Sequence, residues 1–108
     1  MTSPTDVADP IMQRFRAVLD AVFGQQVERV VLFGSRARGD AGPDSDYDVA
    51  VFLRDLIDRP TTLDRLAEVE TDLLYETGAV INALAFPSGA YRERTGFMHE
   101  LRRDGLDL

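Results

Sequence analysis

The sequence predicts an α/β fold in which a small mixed β-sheet is flanked by helices. Segments with helical apolar spacing and short β-branched runs follow one another in the order α-β-β-α-β-α. Elements in this order form an α/β sandwich built on one sheet. The length of 108 residues suits a single domain. We therefore expect one domain over residues 1–108, with residues 1–8 as a loose terminus.

The first helix is predicted to begin at Pro10. Asp9 is a favoured N-cap and proline suits the first helical position. Gly24 is a typical C-terminal stop. Between them, the apolar residues that recur at helical spacing are Ile11, Phe15, Val18, Leu19 and Val22.

Two strands and a polar loop follow this helix. Residues 27–33 (VERVVLF) are rich in β-branched side chains and are predicted to form a buried strand. Residues 34–45 are dense in Gly, Asp, Ser and Arg, which is typical of a loop, here with one helical turn after Ser35. Residues 47–53 (YDVAVFL) carry apolar side chains on both faces, as a central strand does.

The second half of the chain predicts a helix, a strand and a final helix. Thr61 and Asp64 resemble a capping pair after Pro60, and Gly78 ends the helix. Its inward residues are predicted to be Leu63, Leu66, Ala67, Val69, Leu73 and Leu74, with Asp64, Arg65, Glu68 and Glu70 facing largely outward. Residues 79–86 (AVINALAF) form the third strand, and residues 95–103 the last helix.

Composition excludes several functional classes. The 19 acidic residues outnumber the 12 basic ones, so the net charge of −7 argues against broad nucleic-acid binding. The chain has no cysteine, which excludes disulfides and thiol catalysis. The lone histidine, His99, has no evident catalytic partner and suits a surface position. The sequence has no signal peptide and no apolar run of the roughly 18 residues that a membrane-spanning helix needs, so we expect a cytoplasmic protein without membrane contact.

The loop after the first strand carries the chemistry. Gly34 allows the backbone to approach a ligand closely, and a helical turn at Ser35 would direct its free N–H groups at an anion. The Ser35 hydroxyl adds a donor, and Arg36 and Arg38 supply charge-assisted contacts to phosphate. These four residues are the predicted nucleotide-binding residues.

Asp46 and Asp48 are the predicted metal ligands and catalytic residues. They lie two positions apart where the chain enters a strand, so both carboxylates project from one face. Two adjacent carboxylates repel unless a cation joins them, and hard oxygen ligands beside phosphate are what Mg²⁺ selects. The alternative is a plain glycine turn beside a solvated edge, with Asp40 and Asp44 serving as turn residues. The glycine turn would hold phosphates and the aspartate pair would hold the cation beside them, and the two occur in the order that a strand–loop–strand unit requires. This combination favours a nucleoside triphosphate site.

The pattern GSRARG followed by SDYD resembles the signature of the minimal nucleotidyltransferases of the DNA polymerase beta superfamily. The likeness extends to residues 76–81 (ETGAVI) and 101–106 (LRRDGL), which resemble the ends of small prokaryotic members. The resemblance implies a polymerase-beta-like fold and Mg²⁺-dependent nucleotidyl transfer from ATP or another NTP. It further implies an antitoxin that adds AMP to a hydroxyl of a HEPN-type toxin.

Asn82 departs from the family's pattern. The family commonly carries a third carboxylate on the next strand, and Asn82 stands at the equivalent place. Asparagine cannot act as a base, although phosphoryl transfer depends mostly on positioning and charge neutralisation. Two alternatives therefore stay open: an antitoxin that has lost catalysis and acts by binding only, and a nucleotidyltransferase that modifies a small molecule such as an antibiotic.

Overall fold

The computed structural model describes residues 9–108. The predicted loose terminus at residues 1–8 lies outside the described residues. In chain order the elements are α1 (Pro10–Phe23), β1 (Val27–Phe33), α2 (Ser35–Arg38), β2 (Tyr47–Leu53), α3 (Arg59–Thr77), β3 (Ile81–Pro87), α4 (Gly96–Asp104) and β4 (Leu106–Asp107). Short 3₁₀ turns follow α1 and β3.

The strands form one mixed sheet in the order β3-β2-β1-β4. β1 pairs antiparallel with β2 and with β4, whereas β2 and β3 are parallel. Parallel strands need a crossover connection, and α3 supplies it. The predicted α/β fold with a mixed sheet is confirmed.

Helices cover both faces of this sheet. Because strand side chains alternate, successive residues of β1 and β2 enter two different apolar clusters. The larger cluster joins α1 and α3 to one face, and its β1 and β2 members are Val27, Val30, Leu32, Tyr47, Val49, Val51 and Leu53. The smaller cluster joins α4 and the turn before it to the other face, and its members are Val31, Ala50, Phe52, Ala90, Met98 and Leu101.

The start of α1 is tied to the start of β2. Oδ1 of Asp9 accepts hydrogen bonds from the amides of Ile11 (2.8 Å) and Met12 (3.4 Å), which confirms the predicted cap. Oδ2 of Asp9 accepts from the Tyr47 hydroxyl at 2.5 Å. Burial and this carboxylate together raise the pKa of Tyr47 to about 12, so the phenol stays protonated and keeps donating. This hydrogen bond holds Tyr47, the residue between Asp46 and Asp48, in place.

The cap of α3 differs from the prediction. Asp58, not Thr61, is the N-cap, and it accepts from the amide (3.1 Å) and the hydroxyl (2.8 Å) of Thr61. These bonds lower the pKa of Asp58. Pro60 therefore lies in the first turn of the helix instead of before it.

The apolar stripe of α3 is narrower than predicted. Leu66, Val69 and Leu73 are buried, but Leu63, Ala67 and Leu74 are exposed. The prediction that all six face inward was wrong because α3 packs on α1 and β3 along one narrow side. Glu70, expected to face largely outward, is half-buried, and its Oε2 accepts from the Ala83 amide at 3.1 Å.

The last elements differ slightly from the prediction. β3 begins at Ile81 instead of Ala79, and the preceding Val80 accepts the Tyr47 amide at 2.9 Å. α4 begins one residue late, because Thr95 is its N-cap and accepts from the Met98 amide at 3.1 Å. The two-residue β4 was not predicted, since it follows a polar helix and has no periodic pattern of its own.

Candidate active site

The structure brings most of the predicted site residues to one end of the sheet. Asp48 on β2 lies opposite Phe33 on β1 and Asn82 on β3 in the strand registers. These three side chains share the face that α4 covers, because they alternate with residues of the larger cluster. Asp46 immediately precedes β2, and Gly34 immediately follows β1.

Asn82 lies between the two carboxylates. Its side-chain amide nitrogen donates to Oδ2 of Asp46 at 3.2 Å and to Oδ1 of Asp48 at 3.3 Å. Asp46 and Asn82 are exposed, and Asp48 is half-buried. The amide dipole thus offsets part of the repulsion between two negative groups that are open to solvent.

Gly34 lies close to one of these carboxylates, that of Asp48. Its φ of +75° is a left-handed conformation, and a methyl group on its Cα would lie 2.7 Å from Oδ2 of Asp48. The carbonyl of Gly34 accepts the amides of Ala37 and Arg38, both at 3.1 Å, which closes the short helix α2. The first amides of such a turn have no partner inside the helix. The half-buried Ser35 opens the turn next to Asp48.

The two arginines of the motif make contacts within the loop. The Arg36 guanidinium donates to the carbonyls of Ser45 (2.7 and 2.9 Å) and Pro43 (3.2 Å) and lies 3.9 Å from the centre of the Tyr47 ring. Arg36 therefore holds the loop that delivers Asp46, a role that sequence reasoning missed. Arg38 is exposed and forms an ion pair with Asp40 at 3.4 Å. Phosphate contacts by either arginine stay a prediction.

The donor set at this site fits a hard cation. Within residues 9–108 no three His, Asp or Glu side chains gather into a metal-binding group. Asp46 and Asp48 nevertheless each direct one oxygen at the same point, which the Asn82 amide now approaches. A cation near that point would meet one carboxylate oxygen from each aspartate, and phosphate oxygens and waters commonly complete the shell of Mg²⁺.

Apolar side chains continue the same face beyond the carboxylates. Leu84 follows Asn82 by two positions on β3 and is 45% exposed. Phe97, in the first turn of α4, is 36% exposed and packs edge-on against Phe33 (ring centroids 5.2 Å apart) and stacked on Phe86 (5.8 Å). Sequence reasoning did not single out this patch, although the alternation of Asn82, Leu84 and Phe86 along β3 places them on one face.

Residues 12–100 match the family model described as the nucleotidyltransferase domain. Because this match spans most of the chain, the protein belongs to the nucleotidyltransferase domain family, as the resemblance of its motif implied. Across residues 9–108, no helix has the length and apolarity needed to cross a membrane.

Two curated relatives come from Methanocaldococcus jannaschii. "Putative protein adenylyltransferase MJ0141" is 35% identical over 100 residues, which covers 91% of this chain and 95% of the relative. "Putative protein adenylyltransferase MJ0604" is 33% identical over 73 residues, which covers 68% of this chain and 67% of the relative.

Solved structures share the fold at lower identity. A crystal structure of a toxin–antitoxin with AMP-PNP matches at a TM-score of 0.61 and 18% identity, over 88% of this chain and 70% of that one. The toxin–antitoxin MntA-HpeT, in a variant with two aspartates two positions apart replaced by glutamate, matches at 0.61 and 16%, with the same coverage. A nucleotidyltransferase structure from Sulfolobus solfataricus matches at a TM-score of 0.56 and 17% identity. The match covers 90% of this chain and 75% of that one.

Proposed function

We propose that this nucleotidyltransferase moves AMP from ATP onto a hydroxyl of a partner protein in the cytoplasm, with Mg²⁺, and thereby neutralises a HEPN-type toxin. The observation that carries the proposal is the convergence of Gly34, Asp46, Asp48 and Asn82 on one open point. This arrangement supplies a close backbone approach for a triphosphate and two oxygen ligands for a cation beside it.

The proposed reaction is in-line attack of the acceptor hydroxyl on the α-phosphorus, with pyrophosphate as the leaving group. Asp46 and Asp48 would hold Mg²⁺, which neutralises charge that develops on the phosphate oxygens. Gly34 and Ser35 would hold the triphosphate through backbone amides and the Ser35 hydroxyl. Asn82 has no basic atom, so among these residues only the two carboxylates can receive the acceptor's proton.

The partner is proposed from the relatives. The two Methanocaldococcus proteins are named as adenylyltransferases that act on protein, and two structural neighbours are toxin–antitoxin complexes. One neighbour carries AMP-PNP, and the variant of another changes two aspartates spaced as Asp46 and Asp48 are spaced here. These likenesses support ATP as the donor and a toxin as the acceptor.

Label transfer tests this function. The protein is incubated with Mg²⁺, the HEPN-type protein encoded beside its gene, and ATP labelled at either the α- or the γ-phosphate. We expect the partner to take up the α-label and not the γ-label, and to lose its toxicity as it does so. Uptake of the γ-label would indicate a kinase, and no uptake under any condition would contradict the proposed transfer.

A second candidate, an antitoxin that acts by binding only, is favoured by Asn82. Its amide already occupies the space between the carboxylates, so a stable site exists without a cation. Tight, ATP-independent binding to the toxin with no label transfer would favour this candidate over the enzyme.

A further inference from the structure

The patch formed by Leu84 and Phe97 has no role in the chemistry proposed so far. Both side chains are large, apolar and open to solvent, at 45% and 36% exposure. Covering the exposed part of such side chains with a ligand is favourable, because it removes apolar surface from water. The patch lies on the face that also carries Asp48 and Asn82, and Leu84 follows Asn82 by two positions on β3.

The spacing of the patch matches the size of a nucleotide. Two residues along a strand and one strand across place Leu84 roughly 8 Å from Asp48, from the usual strand dimensions. One nucleoside spans this distance between its phosphate and its base. A triphosphate held by Gly34 and Ser35 would therefore bring its base to Leu84 and Phe97.

The packing of Phe97 prepares it for such a contact. Its ring is held edge-on by Phe33 and stacked on Phe86, so it loses little freedom when a ligand covers its exposed side. A purine base is flat and stacks well on aromatic and apolar side chains.

We infer that Leu84 and Phe97 bind the base of the nucleoside triphosphate and that the protein reads the nucleotide mainly through this apolar contact. The inference rests on the proposed function, because it takes the phosphates to lie at Gly34 and Ser35. An apolar contact of this kind discriminates weakly among bases and favours the purines, which offer the larger stacking surface.

Calorimetry with two ligands tests the inference. In the presence of Mg²⁺, AMP-PNP carries a base and inorganic tripolyphosphate does not. We expect Phe97→Ala and Leu84→Ala each to weaken AMP-PNP binding about tenfold, the order of effect of losing one stacking contact, while tripolyphosphate binding stays unchanged. Phe97→Tyr keeps the ring and should keep the affinity for AMP-PNP.

The controls are exposed apolar residues on α3. Leu63 is 43% exposed, which matches Leu84, and Tyr75 is an exposed aromatic residue. Leu63→Ala and Tyr75→Ala should leave both ligands unaffected. Circular dichroism checks that each variant is folded, and Leu84→Ala tests the patch without any change in α4.

These binding measurements distinguish a failure of the base site from a failure of the proposed function. An equal loss for both ligands in the Phe97 and Leu84 variants, or no loss for AMP-PNP, would overturn the assignment of the base site. If those variants instead raise only the KM for the acceptor protein, the patch docks the acceptor and the inference is wrong. If the wild type binds neither AMP-PNP nor tripolyphosphate, the proposed nucleotide site itself fails.

Discussion

Gly34 leaves room for the carboxylate of Asp48, and no other residue type would. A methyl group at this position would lie 2.7 Å from Oδ2 of Asp48, and the φ of +75° is itself strained for a residue with a side chain. The glycine that follows β1 and the aspartate near the start of β2 are thus parts of one site, although they lie 14 positions apart in the sequence.

Gly34→Ala is therefore expected to disable the site. The methyl group displaces the Asp48 carboxylate, and misplacement of a reacting group by about 1 Å lowers a rate on the order of 100-fold. The measurement is the initial rate of label transfer. Gly39→Ala is the matched control, because Gly39 has a φ of +83° but nothing within 4 Å of the added carbon. Equal losses in the two variants would mean that backbone strain alone, and not contact with Asp48, explains the effect.

The double substitution Asp46→Asn with Asp48→Asn is expected to abolish Mg²⁺-dependent ATP binding while the fold persists. It removes both anionic ligands but keeps side chains of nearly the same shape. Calorimetry with Mg²⁺-ATP measures the loss, and thermal unfolding checks the fold. The control replaces Asp40 and Asp44, on the same loop, with asparagine. Unchanged affinity in the first variant would show that the pair is not the metal site.

Asn82→Asp is expected to lower the melting temperature of the metal-free protein. The substitution exchanges two hydrogen bonds, to Asp46 and Asp48, for a third negative charge between them. Mg²⁺ should restore the stability by binding only the folded site.

The same variant should transfer AMP faster, because assistance by a general base contributes roughly 10²–10⁴-fold to a rate. Asn82→Ala, which removes the amide and adds no charge, should show no such gain. A metal-free Asn82→Asp protein as stable as the wild type would contradict the observed position of this side chain.

Glu70→Gln is expected to raise the melting temperature at pH 7 by a few degrees at most. Burial raises the pKa of Glu70, and the hydrogen bond from Ala83 opposes this only in part. Because this pKa is higher in the folded than in the unfolded state, protonation of Glu70 stabilises the fold. This stabilisation is complete below the unfolded pKa and is lost as pH rises through the folded pKa.

The advantage of glutamine should therefore shrink in thermal scans as pH falls through the raised pKa of folded Glu70, and it should be lost below the ordinary glutamate pKa of 4.5. Glu68→Gln, on an exposed position of the same helix, is the control and should have no such pH-dependent effect. A gain that is constant with pH would contradict the role of the Glu70 charge.

Local patterns in the sequence predicted much of this fold. The β-branched runs at residues 27–33 and 47–53 match β1 and β2 in their bounds, and Asp9 caps α1 as predicted. These features depend on neighbouring residues alone, so they can be read along the chain.

Features that depend on distant parts of the chain were not predictable in this way. The spacing of Leu63, Ala67 and Leu74 is apolar, but only the packing of α3 decides that these residues face solvent. Arg36 has the charge of a phosphate ligand, and only the path of the loop brings the carbonyls of Pro43 and Ser45 to its guanidinium. The pairing of β4 with β1 likewise joins residues far apart in sequence.

A crystal structure of the protein with AMP-PNP and Mg²⁺ would show whether the two aspartates and the glycine turn form one nucleotide site. We expect the metal between Asp46 and Asp48, and the triphosphate against the amides at Gly34 and Ser35. A nucleotide bound elsewhere, such as in the open groove of about 470 Å³ that Arg36, Thr77 and Val80 help to line, would contradict the proposed site.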